Sequence, residues 1–242
     1  RRHTRSFHVT GVQTCALPIY SAIAEHLGFG AIAGEGKLMG LAAFGEPKFL
    51  REMEMILSID ENGGCRINLD YFSFRRGMRM GSKRLGNLLG KSRLANEEIT
   101  QTHKNLASSA QKHLERAFLL NARILQSRHG TQNLCLAGGV ALNCLANGRL
   151  KKESGFKNVF VPPGCGDSGG ALGAALYLGS ILDQTADMKI HHSYWGPSFT
   201  DREVEREARS SGFVWKKTES QKELLLAASS SLTESKVLGW FQ

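Results

Sequence analysis

The stretch "NLCLAGGVALNCLANGRLKKESGFKNVFVPPGCGDSGGALGAALYLGSIL" (Asn133–Leu182) decides how this chain is read. "QNLCLAGG" (132–139) is a short apolar run ending in two glycines, which predicts a buried strand. "VALNCLANGRLKKES" (140–154) has helical character, and "KNVFVPP" (157–163) predicts a second buried strand. "GCGDSGGALGAALYLGSIL" (164–182) is a glycine turn opening a close-packed helix. Strand, glycine turn and helix, twice over, predict a parallel βαβα unit. Such sheets bind ligands beyond the carboxyl ends of their strands. Helix N-termini there offer unpaired N–H groups and positive potential to phosphates. Gly138-Gly139 and Gly164-Gly166 occupy those two positions, so the first expectation is a phosphate and nucleotide cradle.

Gly166-Asp167-Ser168-Gly169-Gly170 also reads like the nucleophile loop of a chymotrypsin-like protease. A serine nucleophile needs an imidazole base and a group that orients it. Both lie upstream in the chymotrypsin order, yet none of His3, His8, His26, His103, His113 and His129 stands in an AAHC-like context. His103, His113 and His129 fall in or beside one long amphipathic stretch, where surface positions are expected. A protease loop runs on into a strand, whereas "GGALGAALYLGSIL" continues as a helix. Ser168 is assigned no nucleophilic duty.

The 242 residues have room for a sizeable core, as one large domain or one and a half ordinary ones. Hydrophobic residues at 41% and charged residues at 22% describe a globular chain, and no apolar run approaches bilayer-spanning length. The five cysteines (Cys15, Cys65, Cys135, Cys144, Cys165) show no CxxC spacing, which argues against a disulfide framework and predicts a cytoplasmic protein. The net charge of +9 invites a nucleic-acid reading. Much of it is concentrated in Arg1, Arg2 and Arg5 and in the segment 75–93, with Arg75, Arg76, Arg79, Lys83, Arg84, Lys91 and Arg93. That segment reads as a mobile, solvated loop, so nucleic acid is not the expected partner.

"VTGVQTCALPI" (Val9–Ile19) resembles the conceptual translation of a sequencing-adapter oligonucleotide and has no signal-peptide pattern. Residues 1–19 are therefore set aside as non-native, with a natural fragment expected from Tyr20. "YSAIAEHLGF" predicts a short helix ending at Gly28. "GAIAGEGKLMGLAAFGEP" has glycines dense enough to suggest close approach of backbone to a ligand or a neighbouring element. "FLREMEMILSID" predicts a helix and "GCRINLDYF" a strand. From Asn96 to Gln126, Leu106, Ala110, Leu114, Ala117, Leu120 or Asn121, and Ile124 recur near a 3.6 period, with Thr100 and the acidic pair Glu97-Glu98 suited to the start and Gly130 to the stop. "DQTADMKIHHSYWGPSF" reads as a linker, "TDREVEREARSSGF" as a helix capped by Thr200, and the last residues as a helix followed by a strand from Val237. The strand is cut off at Gln242, so truncation at both ends is expected.

Four motifs now point to a family. "GEGKLMGLAAFGEP" (34–47), "NLCLAGGVALNCLANGRL" (133–150), "VFVPPGCGDSGGALGAALY" (159–177) and "VLGWFQ" (237–242) resemble, in order and spacing, the O-carbamoyltransferases of the nodulation and antibiotic-tailoring type. The resemblance runs over essentially all of 20–242. It implies an α/β fold: a partial actin/Hsp70/sugar-kinase-like domain over 20–190, related to tRNA threonylcarbamoyl-transfer proteins. Residues 191–242 would be a linker and the start of a smaller α+β domain that processes carbamoyl phosphate. The implied reaction is ATP-dependent. A carbamoyl group passes from carbamoyl phosphate, through carbamoyl adenylate, to a hydroxyl of a small-molecule acceptor. Gly138, Gly139, Val140 and Asn143 match the family's nucleotide motif, and Gly164 and Gly166 frame the second turn. Asp167 matches a carboxylate ligand to a divalent, iron-type metal. Glu35 and Lys37 match a loop that contacts ribose and phosphate.

Plainer readings stand beside these: Asn143 as an ordinary helix N-terminus, Asp167 as a helix cap, Glu35 and Lys37 as a solvated pair. The family's HHxxHA-type metal histidines and the Arg-rich carbamoyl-phosphate motif are not found, and His191-His192 does not match the former. Two other functions stay open: a sugar- or acetate-kinase-like phosphotransferase of the same superfold, and a non-catalytic nucleotide- or RNA-binding module.

Overall fold

The computed structural model describes residues 12–31, 33–74, 77, 79–182, 192–194 and 196–241, the stretch 12–17 by its backbone only. The expectations placed on residues 1–11, on Arg75 and Arg76, and on the linker through His191 lie outside the described residues. The chain divides into two compact units, Arg1–Ile190 and His191–Gln242.

The first unit is mainly helical with two small sheets. Helix α1 (Val12–His26) begins well before Tyr20, and Ile19 is buried at 3% exposure, so residues set aside in the sequence reading take part in the packing. Helix α2 (Glu35–Ala42) occupies the glycine-rich segment, where Leu38 and Ala42 share one face at i,i+4 spacing and are buried. Helix α3 (Leu50–Ile56) is shorter than predicted. It gives way to strand β1 (Leu57–Ile59), which pairs antiparallel with β2 (Cys65–Ile67). The Asp60 carboxylate accepts the N–H groups of Asn62 and Gly64 at 2.9 and 2.8 Å and closes the hairpin.

The segment read as a mobile basic loop is largely ordered. Its helix α4 (Lys83–Leu89) buries Leu85 and Leu89. Arg93 is only 6% exposed, and its guanidinium donates to the carbonyls of Leu27, Ala95 and Glu97. Arginine's five donors can satisfy several backbone carbonyls at once, which is why this cation is internal rather than solvated.

Helix α5 (Gln101–His129) is the axis of the unit. Its register follows the sequence pattern as far as Ala117: Leu106, Ala110, Leu114 and Ala117 are buried. Beyond them Leu119 and Ala122 are buried, while Leu120, Asn121 and Ile124 are half-buried. Thr100 is the N-cap, and Gly130 ends the helix in the left-handed region at φ 60°. It packs against α1, α2 and α3, and its polar residues hold neighbouring backbone. Asn105 Oδ1 accepts from the Glu46 N–H and Ser109 Oγ from the Phe49 N–H, both at 2.9 Å. Gly45 explains why the preceding stretch needs glycine, because a Cβ there would meet the Lys104 carbonyl oxygen at 2.0 Å. His113, expected at the surface, is 2% exposed and donates from Nε2 to the Leu57 carbonyl at 2.7 Å.

The predicted βαβα unit follows. Strands β3 (Asn133–Cys135) and β4 (Asn158–Phe160) pair parallel, Leu134 opposite Val159, with helix α6 (Cys144–Glu153) as the crossover. Helix α7 (Gly169–Ile181) opens from the second glycine turn. The strands are not buried on both faces as expected. Leu134 and Val159 pack against a small cluster of Leu119, Ala122, Leu150 and Phe156, while Asn133, Cys135, Asn158 and Phe160 are exposed. Helix α7 buries no side chain.

The second unit holds helix α8 (Asp201–Ser210), capped by Thr200 as predicted, and helix α9 (Gln221–Thr233). Arg209 stacks over the Trp215 ring at 4.9 Å. The strand expected from Val237 does not form among the described residues; Val237–Phe241 has no regular structure, and Val237 is fully exposed.

Candidate functional site

The two glycine turns meet. Gly138 ends the β3 side with φ 99° and leads into a 3-10 turn, Gly139–Leu142, before Asn143 caps α6. The Gly138 N–H donates to the Cys165 carbonyl at 2.6 Å, which ties the first turn to the second. Gly164 adopts φ 63°, available to glycine at little steric cost. A Cβ on Gly169 would meet the Gly164 carbonyl oxygen at 2.1 Å, so the second turn closes only around a bare Cα. A cavity of about 540 Å³ elsewhere is lined by Lys112, His113, Arg116, Arg123 and Arg149 from α5 and α6. The cavity at the glycine turns, about 520 Å³, brings Gly138, Gly164, Gly166, Asp167, Gly169 and Gly170 together beyond the carboxyl ends of β3 and β4.

The chemistry on offer there is donation. Among the described residues that line the cavity, the N–H groups of Gly166 and Asp167 donate no backbone hydrogen bond. Backbone N–H groups gathered at the start of a helix suit phosphate oxygens. The residues present therefore fit the phosphate portion of a nucleotide. They do not by themselves fit a metal. Asp167 is exposed at the cavity, and among the described residues no group of three or more His, Cys, Asp and Glu side chains is placed to hold one. One carboxylate leaves most coordination positions of a divalent ion to water.

The remaining predicted residues lie around this cradle rather than in it. Val140 is buried at 5% exposure and packs in the main core. Asn143 is 7% exposed and its amide is engaged within the chain. Its Oδ1 accepts from the Ala146 N–H at 3.0 Å, the helix-capping bond. The same oxygen accepts from Gln111 Nε2 at 3.1 Å, and Asn143 Nδ2 donates to Gln111 Oε1 at 2.9 Å. Glu35 and Lys37 lie in the first turn and a half of α2 and do not line the cavity. Glu35 accepts from the Ser21 hydroxyl, and burial raises its carboxyl above the ordinary value despite that bond. Lys37 is exposed. Cys144 Sγ of α6 lies 4.0 Å from Met39 Sδ of α2.

Sequence reasoning did not find Gln111, Tyr20, Glu115 and Arg149. Tyr20 donates to Gln111 Oε1 at 2.7 Å, and burial holds its hydroxyl well above the usual phenol range, so it stays a donor. Arg149 bridges Glu115 at 3.0 Å and Glu153 at 2.7 Å. These partners come from three helices, and no local spacing announces them. Ser168 is bonded to no imidazole among the described residues; the serine–histidine contact present is Ser92 Oγ to His26 Nδ1 at 3.0 Å.

Comparison with known proteins fixes the family. The "Carbamoyltransferase N-terminus" family matches residues 12–176, from the start of α1 into α7. The chain belongs to this family. A nodulation protein NolNO of Sinorhizobium fredii is 35% identical over 228 residues, 93% of this chain and 32% of that protein. Nodulation protein NolO of Bradyrhizobium diazoefficiens is 33% identical, over 92% of this chain and 39% of its own length. An uncharacterized Synechocystis protein is 38% identical over 93% of this chain and 38% of its own length. The chain thus spans between about a third and two fifths of the length of those relatives. Among the described residues no helix is long and apolar enough to cross a membrane.

Proposed function

We propose that this segment supplies the nucleotide-binding floor of an ATP-dependent O-carbamoyltransferase, in a lobe of the actin/Hsp70/sugar-kinase type. The observation that carries this reading is the 2.6 Å bond from the Gly138 N–H to the Cys165 carbonyl, which joins both glycine turns around one cavity. Gly138 and Gly164 bring the backbone close to the phosphates. The N–H groups of Gly166 and Asp167 donate to phosphate oxygens. Fixed donors of this kind hold a reacting phosphoryl group in place without reorganising. Bound ATP supplies the adenylyl group that activates the carbamoyl unit. Carbamoyl phosphate is the donor and a hydroxyl of a small molecule the acceptor. Asp167 offers one carboxylate toward a divalent metal, iron in the family that the motifs resemble, whose further ligands come from outside the described residues. Residues 20–190 form the nucleotide-binding region, and 191–242 lead into the carbamoyl-phosphate-processing domain. The scattered, odd set of cysteines favours a reducing, cytoplasmic setting.

Calorimetric titration of the 242-residue chain with ATP tests the floor, with carbamoyl transfer measured in a longer family member that carries this segment. ATP binding that disappears when Gly169 is changed to valine is the expected result. Direct phosphorylation of the acceptor by the longer protein would replace this reading with the kinase-like one.

A further inference from the structure

We propose that Gln111, in the middle of α5, is a positioning residue for the first glycine turn, with Tyr20 and Glu115 fixing the orientation of its amide. The proposal rests on the nucleotide reading above. Gln111 is 5% exposed and lies outside the residues that line the cavity, so it acts through Asn143.

A glutamine amide can accept two hydrogen bonds and donate two. All four are used. Oε1 accepts from the Tyr20 hydroxyl at 2.7 Å and from Asn143 Nδ2 at 2.9 Å. Nε2 donates to Glu115 Oε1 at 2.8 Å and to Asn143 Oδ1 at 3.1 Å. Only one orientation of the amide works. Rotated by half a turn, it would set its oxygen against the Glu115 carboxylate and its NH₂ against the Asn143 NH₂.

Asn143, held on both sides by that amide, is the joint between the 3-10 turn and α6. Its own N–H donates to the Val140 carbonyl at 3.0 Å, and its Oδ1 caps α6 through Ala146. Gly138, at the other end of the turn, reaches the Cys165 carbonyl. The order of control therefore runs from Tyr20 and Glu115 through Gln111 to Asn143, then to the turn and its bond with the second turn. A buried polar network of this kind is stiff when fully satisfied, and loss of one member leaves the others without partners.

The test uses the 242-residue chain with Gln111→Leu, Asn143→Asp and Tyr20→Phe. Ser109→Ala serves as the control. Ser109 lies on the same helix, fully buried, bonds to Phe49 and Asn105, and does not line the cavity. Two readouts are taken: ATP affinity by calorimetry, and amide hydrogen exchange across residues 138–146. Gln111→Leu is expected to weaken ATP about tenfold or more and to speed exchange over 138–146 by a similar factor. Asn143→Asp keeps an oxygen for the cap but sets a carboxylate oxygen against Gln111 Oε1 in place of the donor, so both readouts should shift in the same direction as in Gln111→Leu. Ser109→Ala should lower the melting temperature and leave both readouts at wild type. If Gln111→Leu does not fold, Tyr20→Phe carries the test, with faster exchange over 138–146 expected. Wild-type exchange and wild-type ATP affinity in the folded Gln111 or Tyr20 variant would overturn the proposal. If the wild-type chain binds no ATP, the nucleotide reading falls, and the exchange arm alone decides the role of Gln111.

Discussion

Replacing Gly169 by alanine isolates the geometry of the second turn. The new Cβ would lie 2.1 Å from the Gly164 carbonyl oxygen and 3.1 Å from its carbonyl carbon. Both neighbours are backbone, so no side chain can swing aside. The Gly164 carbonyl must move, and with it a residue at φ 63° whose neighbours line the cavity. Overpacking of this kind costs about 1–3 kcal/mol. Because α7 buries no side chain, the cost falls on local opening of the turn and is read best by hydrogen exchange over 164–176. At ~1.4 kcal/mol per factor of ten, exchange should speed about 5- to 150-fold. Gly148→Ala is the counterpart. Gly148 is an exposed glycine inside α6 with nothing within 4 Å of the new Cβ, and removing it should slow exchange in α6 about 2- to 5-fold, since glycine costs a helix interior roughly 0.5–1 kcal/mol. Gly169→Ala should also weaken ATP binding, and Gly148→Ala should not. Unchanged exchange over 164–176 in Gly169→Ala would refute the claim that this turn closes around a bare Cα. Unchanged ATP affinity would refute its role in shaping the cradle.

Four other outcomes are expected. Gly45→Ala places a Cβ 2.0 Å from the Lys104 carbonyl oxygen, and thermal unfolding should show a loss of about 1–3 kcal/mol, while Gly40→Ala meets nothing within 4 Å and should be neutral or stabilising. His26 and His113 are both held below the ordinary imidazole value of 6.5, chiefly by burial. The unfolded chain therefore takes up protons first, and stability should be full above that value and fall as pH drops through it. Denaturant midpoints between pH 5 and pH 8 should flatten in His113→Gln, which keeps a donor toward the Leu57 carbonyl. Glu35, raised by burial, works in the opposite sense from 4.5 upward and is common to both proteins. In a longer family member, Asp167→Asn should abolish carbamoyl transfer and Ser168→Ala should leave it near wild type, whereas labelling of Ser168 by a serine-directed phosphonate would contradict the assignment. Tyr177, Leu178 and Ile181 are 70%, 57% and 59% exposed on α7, so glutamate at Leu178 and Ile181 should lower light scattering by the concentrated chain.

How legible the fold was depended on whether its causes were local. Helix α5 was readable because a 3.6-residue repeat, a threonine start and a glycine stop are all near neighbours in sequence. The parallel pair was readable because each strand ran into its own glycine turn. Helix α2 was not, because Gly36 and Gly40 argue against a helix, and the burial of Leu38 against distant α1 and α5 argues for one. The segment around Arg93 misled for the same reason. Its glycines and cations look solvated until the carbonyls of Leu27, Ala95 and Glu97 are folded around the guanidinium. His113 faced the core because one helix turn also carries an inward polar position, filled here by a donor for the otherwise unpaired Leu57 carbonyl.

The cradle shows a sharper division. Glycines at 138, 164, 166 and 169 announce that backbone must come close to something, and the structure gathers them around one cavity. What holds them there was silent in the sequence. Gln111 is 32 residues from Asn143 and 91 from Tyr20, in the middle of a helix where a glutamine is an ordinary surface residue. Asn143 had two readings, nucleotide contact or helix N-terminus. The geometry gives its amide to the cap and to Gln111, so any influence on a nucleotide passes through the placement of Gly138 and Gly139. A phosphate site built from main-chain N–H groups has few side chains of its own, and its accuracy is set by whatever fixes the backbone. In this chain that support comes from α1 and α5, which precede the glycine turns in sequence and contribute no residue to the lining of their cavity.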